Sequence, residues 1–153
     1  MQGSAAETAK GKAQRHGSGD RLCFSIPSRL SAVERVCRQV RRLLERRRLQ
    51  HLLFDVELVA RECLNNAITH GNGGRPHCRV DFELLLGRRR ISLRIADEGP
   101  GFDWRCARRQ GWPGETACSG RGLLLVRTCA QGMRFNRKGN QITVWIATAR
   151  EGR

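Results

Sequence analysis

Between residues 55 and 70 the apolar side chains Val56, Val59, Ala60, Cys63, Leu64, Ala67 and Ile68 recur at intervals of three and four, the period of a helix with one buried face. The pattern then changes. Residues 90–96 alternate, with Ile91, Leu93 and Ile95 on one side, and read as a strand buried on half its surface. A second helical stripe, Leu123 to Val126 and then Cys129, is stopped by Gly132. The whole chain reads as a strand at 21–26, helices at 28–48 and 53–70, strands at 77–86 and 90–97, and an irregular segment at 103–119. A helix at 121–131 and a hairpin of strands at 132–137 and 141–148 follow. Asn72, Gly73 and Gly74, and then Lys138, Gly139 and Asn140, supply turn chemistry. Helices gathered on one face of a mixed, mostly antiparallel sheet give an α+β fold of two layers.

Composition narrows this to one domain. A chain of 153 residues with 39% hydrophobic content builds one real core. Residues 1–20 have almost no large apolar group, so they are expected to form a disordered basic tail ahead of a domain at 21–150. No apolar run approaches the roughly 20 residues that cross a bilayer, and nothing resembles a signal peptide, so a cytoplasmic protein without membrane contact is expected. The cysteines number seven, without a close Cys-x-x-Cys pair, and read mostly as small core residues; Cys106 and Cys118 are the two expected at the surface.

Three short segments carry the chemistry. In ECLNNAITH (62–70), positions four apart lie about 40° apart around a helix, so Glu62, Asn66 and His70 form a polar ladder along one flank. A carboxylate and an amide one turn apart suit Mg²⁺ bound beside phosphate, because Mg²⁺ takes few protein oxygens. In DEGPGF (97–102), Asp97 ends a strand where it can accept a hydrogen bond from the exocyclic amine of adenine, and Gly99 and Gly101 let backbone approach a flat base. In GRGL (120–123), glycines open a helix, whose first amides attract phosphate. A solvated flank or an ordinary turn explains each segment taken singly. Together, in this order, they describe an adenine-nucleotide site.

These segments resemble the N box, the Asp-x-Gly-x-Gly box and the second glycine box of the GHKL ATPase superfamily, whose fold is the two-layer Bergerat sandwich. Within it the chain is most similar to the anti-sigma-factor serine kinases of bacterial partner-switching systems. The likeness runs from about residue 21 to 148 and includes GMRF (132–135) and QITVWI (141–146) as the closing hairpin. The resemblance implies ATP or ADP with Mg²⁺ as cofactors, Glu62 as the general base toward a substrate serine, and Asn66 as the metal ligand. It implies that Asp97 reads adenine, that Gly99 and Gly101 shape its pocket, and that Gly120 and Gly122 meet the phosphates. His70, Arg121 and Leu123 complete the nucleotide's surroundings, and Thr143 stands for a hairpin threonine that supports the base. Residues 103–119 would be the lid over the nucleotide. The implied partners are an anti-anti-sigma protein carrying the substrate serine, a sigma factor and a second copy of the chain. One departure matters: where some members carry an arginine before the second glycine box, this chain has Cys118. A nucleotide-gated binding module without kinase activity is therefore the alternative.

The net charge of +15 raises nucleic-acid binding as a competing class, with Arg41, Arg42, Arg46, Arg47 and Arg48 on one helix and Arg88, Arg89 and Arg90 at a turn. Aromatic residues are only 5% and tyrosine is absent, so stacking platforms are scarce and no direct nucleic-acid partner is expected. The same charge suits an acidic protein partner. A two-component histidine kinase would need a helical hairpin with a phosphoacceptor histidine, and the only histidine ahead of the domain, His16, falls in the tail.

Overall fold

The structure, a computed structural model, describes residues 12–16, 19–110 and 121–149. Its elements run β1 (Lys12–His16), β2 (Gly19–Pro27), α1 (Val33–Arg46), α2 (Leu53–Asn66), β3 (Arg79–Leu86) and β4 (Arg90–Asp97). They continue with α3 (Trp104–Gln110), α4 (Arg121–Cys129), β5 (Gly132–Phe135) and β6 (Gln141–Ala147). The strands form one sheet in the order β1-β2-β3-β4-β6-β5, and each neighbouring pair is antiparallel. The expected α+β architecture is present, with no parallel pair among the described strands.

Strand alternation sets the layers. β3 buries Val80, Phe82, Leu84 and Leu86, β4 buries Ile91, Leu93 and Ile95, and β6 buries Ile142, Val144 and Ile146, all into one core with the helices. From α2, Val56, Val59, Ala60, Cys63 and Leu64 fill that core, the same stripe that the three-and-four spacing predicts. Truncating a fully buried side chain such as Leu64 to alanine is expected to destabilise by about 2–5 kcal/mol. α2 lies between α1 and α4 in the helical layer, which makes its remaining flank the natural wall of a cleft.

Several boundaries differ from the sequence reading. Residues 12–16, expected to stay disordered, form the edge strand β1 against β2, because backbone pairing to an open edge needs no apolar side chains. Residues 104–110, expected to be irregular, are the helix α3, started by Asp103, whose Oδ1 accepts the N–H groups of Arg105 and Cys106. The glycines and proline at 111, 113 and 114, and Cys118, lie outside the described residues. The long helix expected at 28–48 begins as a single 3₁₀ turn, Leu30–Ala32, and ends at Arg46. The arginine cluster therefore divides: Arg41 pairs with Glu57 on α2 at 2.8 Å, and Arg47, beyond the helix, pairs with Asp20. Cys37, Cys63 and Cys78 are buried, as expected of core cysteines, whereas Cys106 is half-buried. No helix among the described residues is long and apolar enough to cross a membrane.

Candidate functional site

The cleft forms where α2 stops being a regular helix. Its last turn widens into a π turn over Ala67–Gly71, closed by Asn72 N–H donating to the Ala67 carbonyl at 2.7 Å. The fully buried side chain of Asn72 then ties three segments together. Its Nδ2 donates to Ser28 Oγ (3.1 Å) after β2 and to the Arg79 carbonyl (2.9 Å) at the start of β3. Its Oδ1 accepts the Glu98 N–H at 2.9 Å, one residue beyond Asp97. A buried amide with all these bonds made fixes the loop after β4 against the end of α2.

Asp97 is held from both sides. Its backbone N–H donates to the Asn140 carbonyl and its carbonyl accepts from Asn140 Nδ2, both at 2.9 Å, so the β5–β6 turn is fastened to the end of β4. Its Oδ1 accepts the Gly99 N–H at 2.8 Å, which leaves Oδ2 for a ligand. Burial pushes the Asp97 carboxyl above its ordinary range, opposed by the Gly99 N–H and by the charge of Lys138. Gly99 is required by packing: a Cβ there would run into the Gly71 carbonyl. Gly101 is required twice over, by its φ of +75° and by the Lys138 carbonyl where a Cβ would sit.

The resulting cleft, about 360 Å³, is walled by Asn66, His70, Asp97, Gly101 and Leu123 among the expected residues. Cys63, Ile95, Phe102, Phe135, Asn140 and Ile142 complete it. Within it, burial pushes the Cys63 thiol up to about 12, so it stays neutral. Phe102 and Phe135 meet edge to face at 5.2 Å at one end.

The ladder expected on α2 is partly realised in the wall. Asn66 and His70 line the cleft, and Glu62, one turn back, is half-buried under α4. The link between them is Gly122: a Cβ there would meet Glu62 Oε2 and lie 3.5 Å from Asn66 Nδ2, so the start of α4 rests directly on the ladder. Arg121 opens α4 through its backbone; its side chain and Gly120 lie outside the described residues.

Thr143 is a correction. Along β6 the buried positions are Ile142, Val144 and Ile146, so Thr143 projects from the opposite face of the sheet, in register with Arg94 and Arg134. The residue that supports Asp97 from this hairpin is Asn140. The sequence pattern assigns Asn72 and Asn140 only to turns; the place of Asn72 directly after the helix-ending His70 and Gly71 is the available signal for its larger role.

The residues present fit a Mg²⁺-nucleotide. The base end offers one carboxylate oxygen on a rigid loop, and the other end offers a glycine-opened helix start beside an amide and a carboxylate. Among the described residues no group of three or more His, Cys, Asp and Glu could hold a metal ion.

A fold of this kind with three such boxes around one cleft defines an ATPase-type nucleotide-binding domain. Residues 26–146 match the model of the histidine kinase-like ATPase domain, which spans β2 to β6 and includes all three boxes. The chain belongs to this family, and so to the GHKL superfamily. No curated protein matches it.

Proposed function

We propose that this chain is an anti-sigma factor and serine-protein kinase of a partner-switching circuit, acting as a homodimer in the cytoplasm. The observation that carries the reading is the stack of Glu62 and Asn66, one turn apart on α2, beneath Gly122 at the start of α4. Bound Mg²⁺-ATP would supply the transferable phosphoryl group. Asn66 would hold the ion, Asp97 Oδ2 would accept a hydrogen bond from the adenine amine, and the α4 amides would face phosphate. Glu62 would accept the proton of a serine hydroxyl delivered by an anti-anti-sigma protein. The high positive charge supports an acidic partner such as a sigma factor.

The test is Glu62→Gln, which keeps the size of the side chain and removes the base. Nucleotide affinity by calorimetry should persist while phosphate transfer to the serine of the partner falls by about 10²–10⁴. Unchanged transfer would refute the assignment. A second reading, a nucleotide-gated binding module without transfer, is favoured by one observation: Asn66 and His70 line the cleft, whereas Glu62 is not among its lining residues. Nucleotide binding without any transfer by the wild-type chain to its cognate partner would select it.

A further inference from the structure

The arginines of α1 are of two kinds. Arg41, on the side toward α2, pairs with Glu57, and Arg47 just beyond the helix pairs with Asp20. Elsewhere Arg21, Arg61 and Arg94 are likewise matched with carboxylates. Arg35, Arg38, Arg42 and Arg46 are not: all four are exposed, and none makes a hydrogen bond, ion pair or ring contact among the described residues. At about 100° per residue they fall within an arc of about 80° around α1, and they extend about 16 Å along it. Glu34 and Glu45 lie to one side of that arc, toward α2, where Glu34 meets Arg61. The stripe itself is uniformly positive.

The charge continues past the end of the helix. His51 Nε2 lies 3.3 Å from the Thr148 carbonyl, and Thr148 donates its N–H to the Arg89 carbonyl (3.0 Å) and its hydroxyl to the Arg88 carbonyl (2.9 Å). The turn between β3 and β4, with Arg88 and Arg89 exposed, is thereby fastened beside the segment that leaves α1. β4 runs from this turn to Asp97, so these two arginines stand at the opposite end of the sheet from the nucleotide cleft.

We propose that the α1 stripe, extended by Arg88 and Arg89, binds the phosphate backbone of a nucleic-acid duplex without reading its sequence. Over about 16 Å a duplex presents about ten phosphates, so each arginine of the stripe can meet one. The guanidinium fork suits that contact, because its parallel N–H donors match two phosphate oxygens. Two observations select this partner over other polyanions. Protein interfaces and membrane-surface helices both bury apolar side chains, and none of the exposed large hydrophobic residues lies on α1. Single strands are held on aromatic platforms, and α1 has no aromatic residue. A surface that meets only phosphate needs neither a stacking platform nor a recognition motif, so the scarcity of aromatic residues does not count against it. The surface is separate from the cleft and stands or falls without kinase activity.

Fluorescence anisotropy of a labelled DNA duplex, about 20 base pairs long, measures binding to the full-length protein between about 50 and 200 mM salt. Affinity should be the same for two unrelated sequences. Its logarithm should fall with the logarithm of salt at a slope of about −3.6 or steeper, at about −0.9 for each phosphate met. Arg42→Gln combined with Arg46→Gln should weaken binding by about tenfold or more and make the slope shallower by about 2. Arg134→Gln combined with Arg137→Gln, an equal charge change on the β5–β6 hairpin, serves as control and should have little effect. Saturating ADP should leave the duplex bound. Absence of duplex binding, equal weakening by the two double substitutions, or displacement by ADP would overturn the proposal. Tighter binding of a single strand, of polyglutamate or of phosphatidylserine vesicles, with the same dependence on Arg42 and Arg46, would overturn it in favour of that partner. Circular dichroism identifies a misfolded variant, in which case Arg88→Gln combined with Arg89→Gln carries the same comparison.

Discussion

At the base end of the cleft, Asn72 with Glu98, Asp97 with Gly99, and Asn140 with Asp97 are joined by hydrogen bonds of 2.8–2.9 Å. At the phosphate end, by contrast, the side chains of Glu62 and Asn66 make no hydrogen bond or ion pair among the described residues. One end has its hydrogen bonds made within the protein, and the other has Glu62 and Asn66 side by side on α2 beneath Gly122. The first arrangement suits recognition of a rigid flat base, since the ordering is already done. The second suits a charged ligand whose own oxygens and ion complete the site.

The largest effect should come from disturbing the finished end. In Gly99→Ala the added Cβ meets the Gly71 carbonyl, a backbone atom that cannot swing away as a side chain can. Destabilisation of about 3 kcal/mol in urea unfolding and loss of adenine-nucleotide binding by calorimetry are expected. A variant with unaltered stability would show that the close approach of the two loops is not needed.

Asn72→Ala sharpens the same point without a clash. It leaves the Glu98 N–H and the Arg79 carbonyl without their buried partner, and a loss of about 2 kcal/mol is expected. Nucleotide affinity should fall as well, because Glu98 adjoins Asp97. Stability lost with affinity unchanged would separate the hydrogen-bond hub from the site.

Asp97→Asn turns on what the base end pays for its carboxylate. Burial raises the folded-state pKa of Asp97, so the protonated form is favoured in the fold. The stability linked to that proton is fully present below the unfolded carboxyl value and is lost as pH rises through the folded one. The unliganded variant should therefore unfold at a higher temperature than wild type at neutral pH, with the gap closing in acid. Its affinity for ATP should nonetheless drop by about 1–3 kcal/mol, because an amide donor would replace Oδ2 opposite the adenine amine donor. A variant less stable than wild type at neutral pH would mean that the Gly99 and Lys138 contributions outweigh burial.

The helices, strands and core were legible because period 3.6 and period 2 are imposed by burial, and the core residues of α2, β4 and β6 follow them. The same rule, applied to β6, places Thr143 outward between Ile142 and Val144, away from the place that the family resemblance implies for it. Asn66, His70, Asp97, Gly101 and Leu123 could be gathered on one cleft from their boxes, since each box is a local turn or helix end. Asn72 and Asn140 could not, because their importance lies in contacts with segments distant in sequence, such as Ser28 and Asp97. α3 was missed because its residues, Trp104 and three arginines among them, show no apolar stripe; Asp103 at its start was the usable signal.

The smallest effect on stability should come from Gly122→Ala at the phosphate end. The new Cβ meets Glu62 Oε2, the tip of a flexible side chain that can turn aside, and alanine favours a helix over glycine by up to about 1 kcal/mol. Near-unchanged or slightly raised stability is therefore expected, in contrast to Gly99→Ala. What should change is chemistry: with Glu62 displaced, phosphate transfer to a partner serine should fall while ADP affinity at the base end stays near that of wild type. Measuring unfolding, ADP binding and transfer on the same pair of variants separates the two ends. If Gly122→Ala loses ADP affinity as Gly99→Ala does, the cleft is a single rigid unit and the distinction between its ends fails.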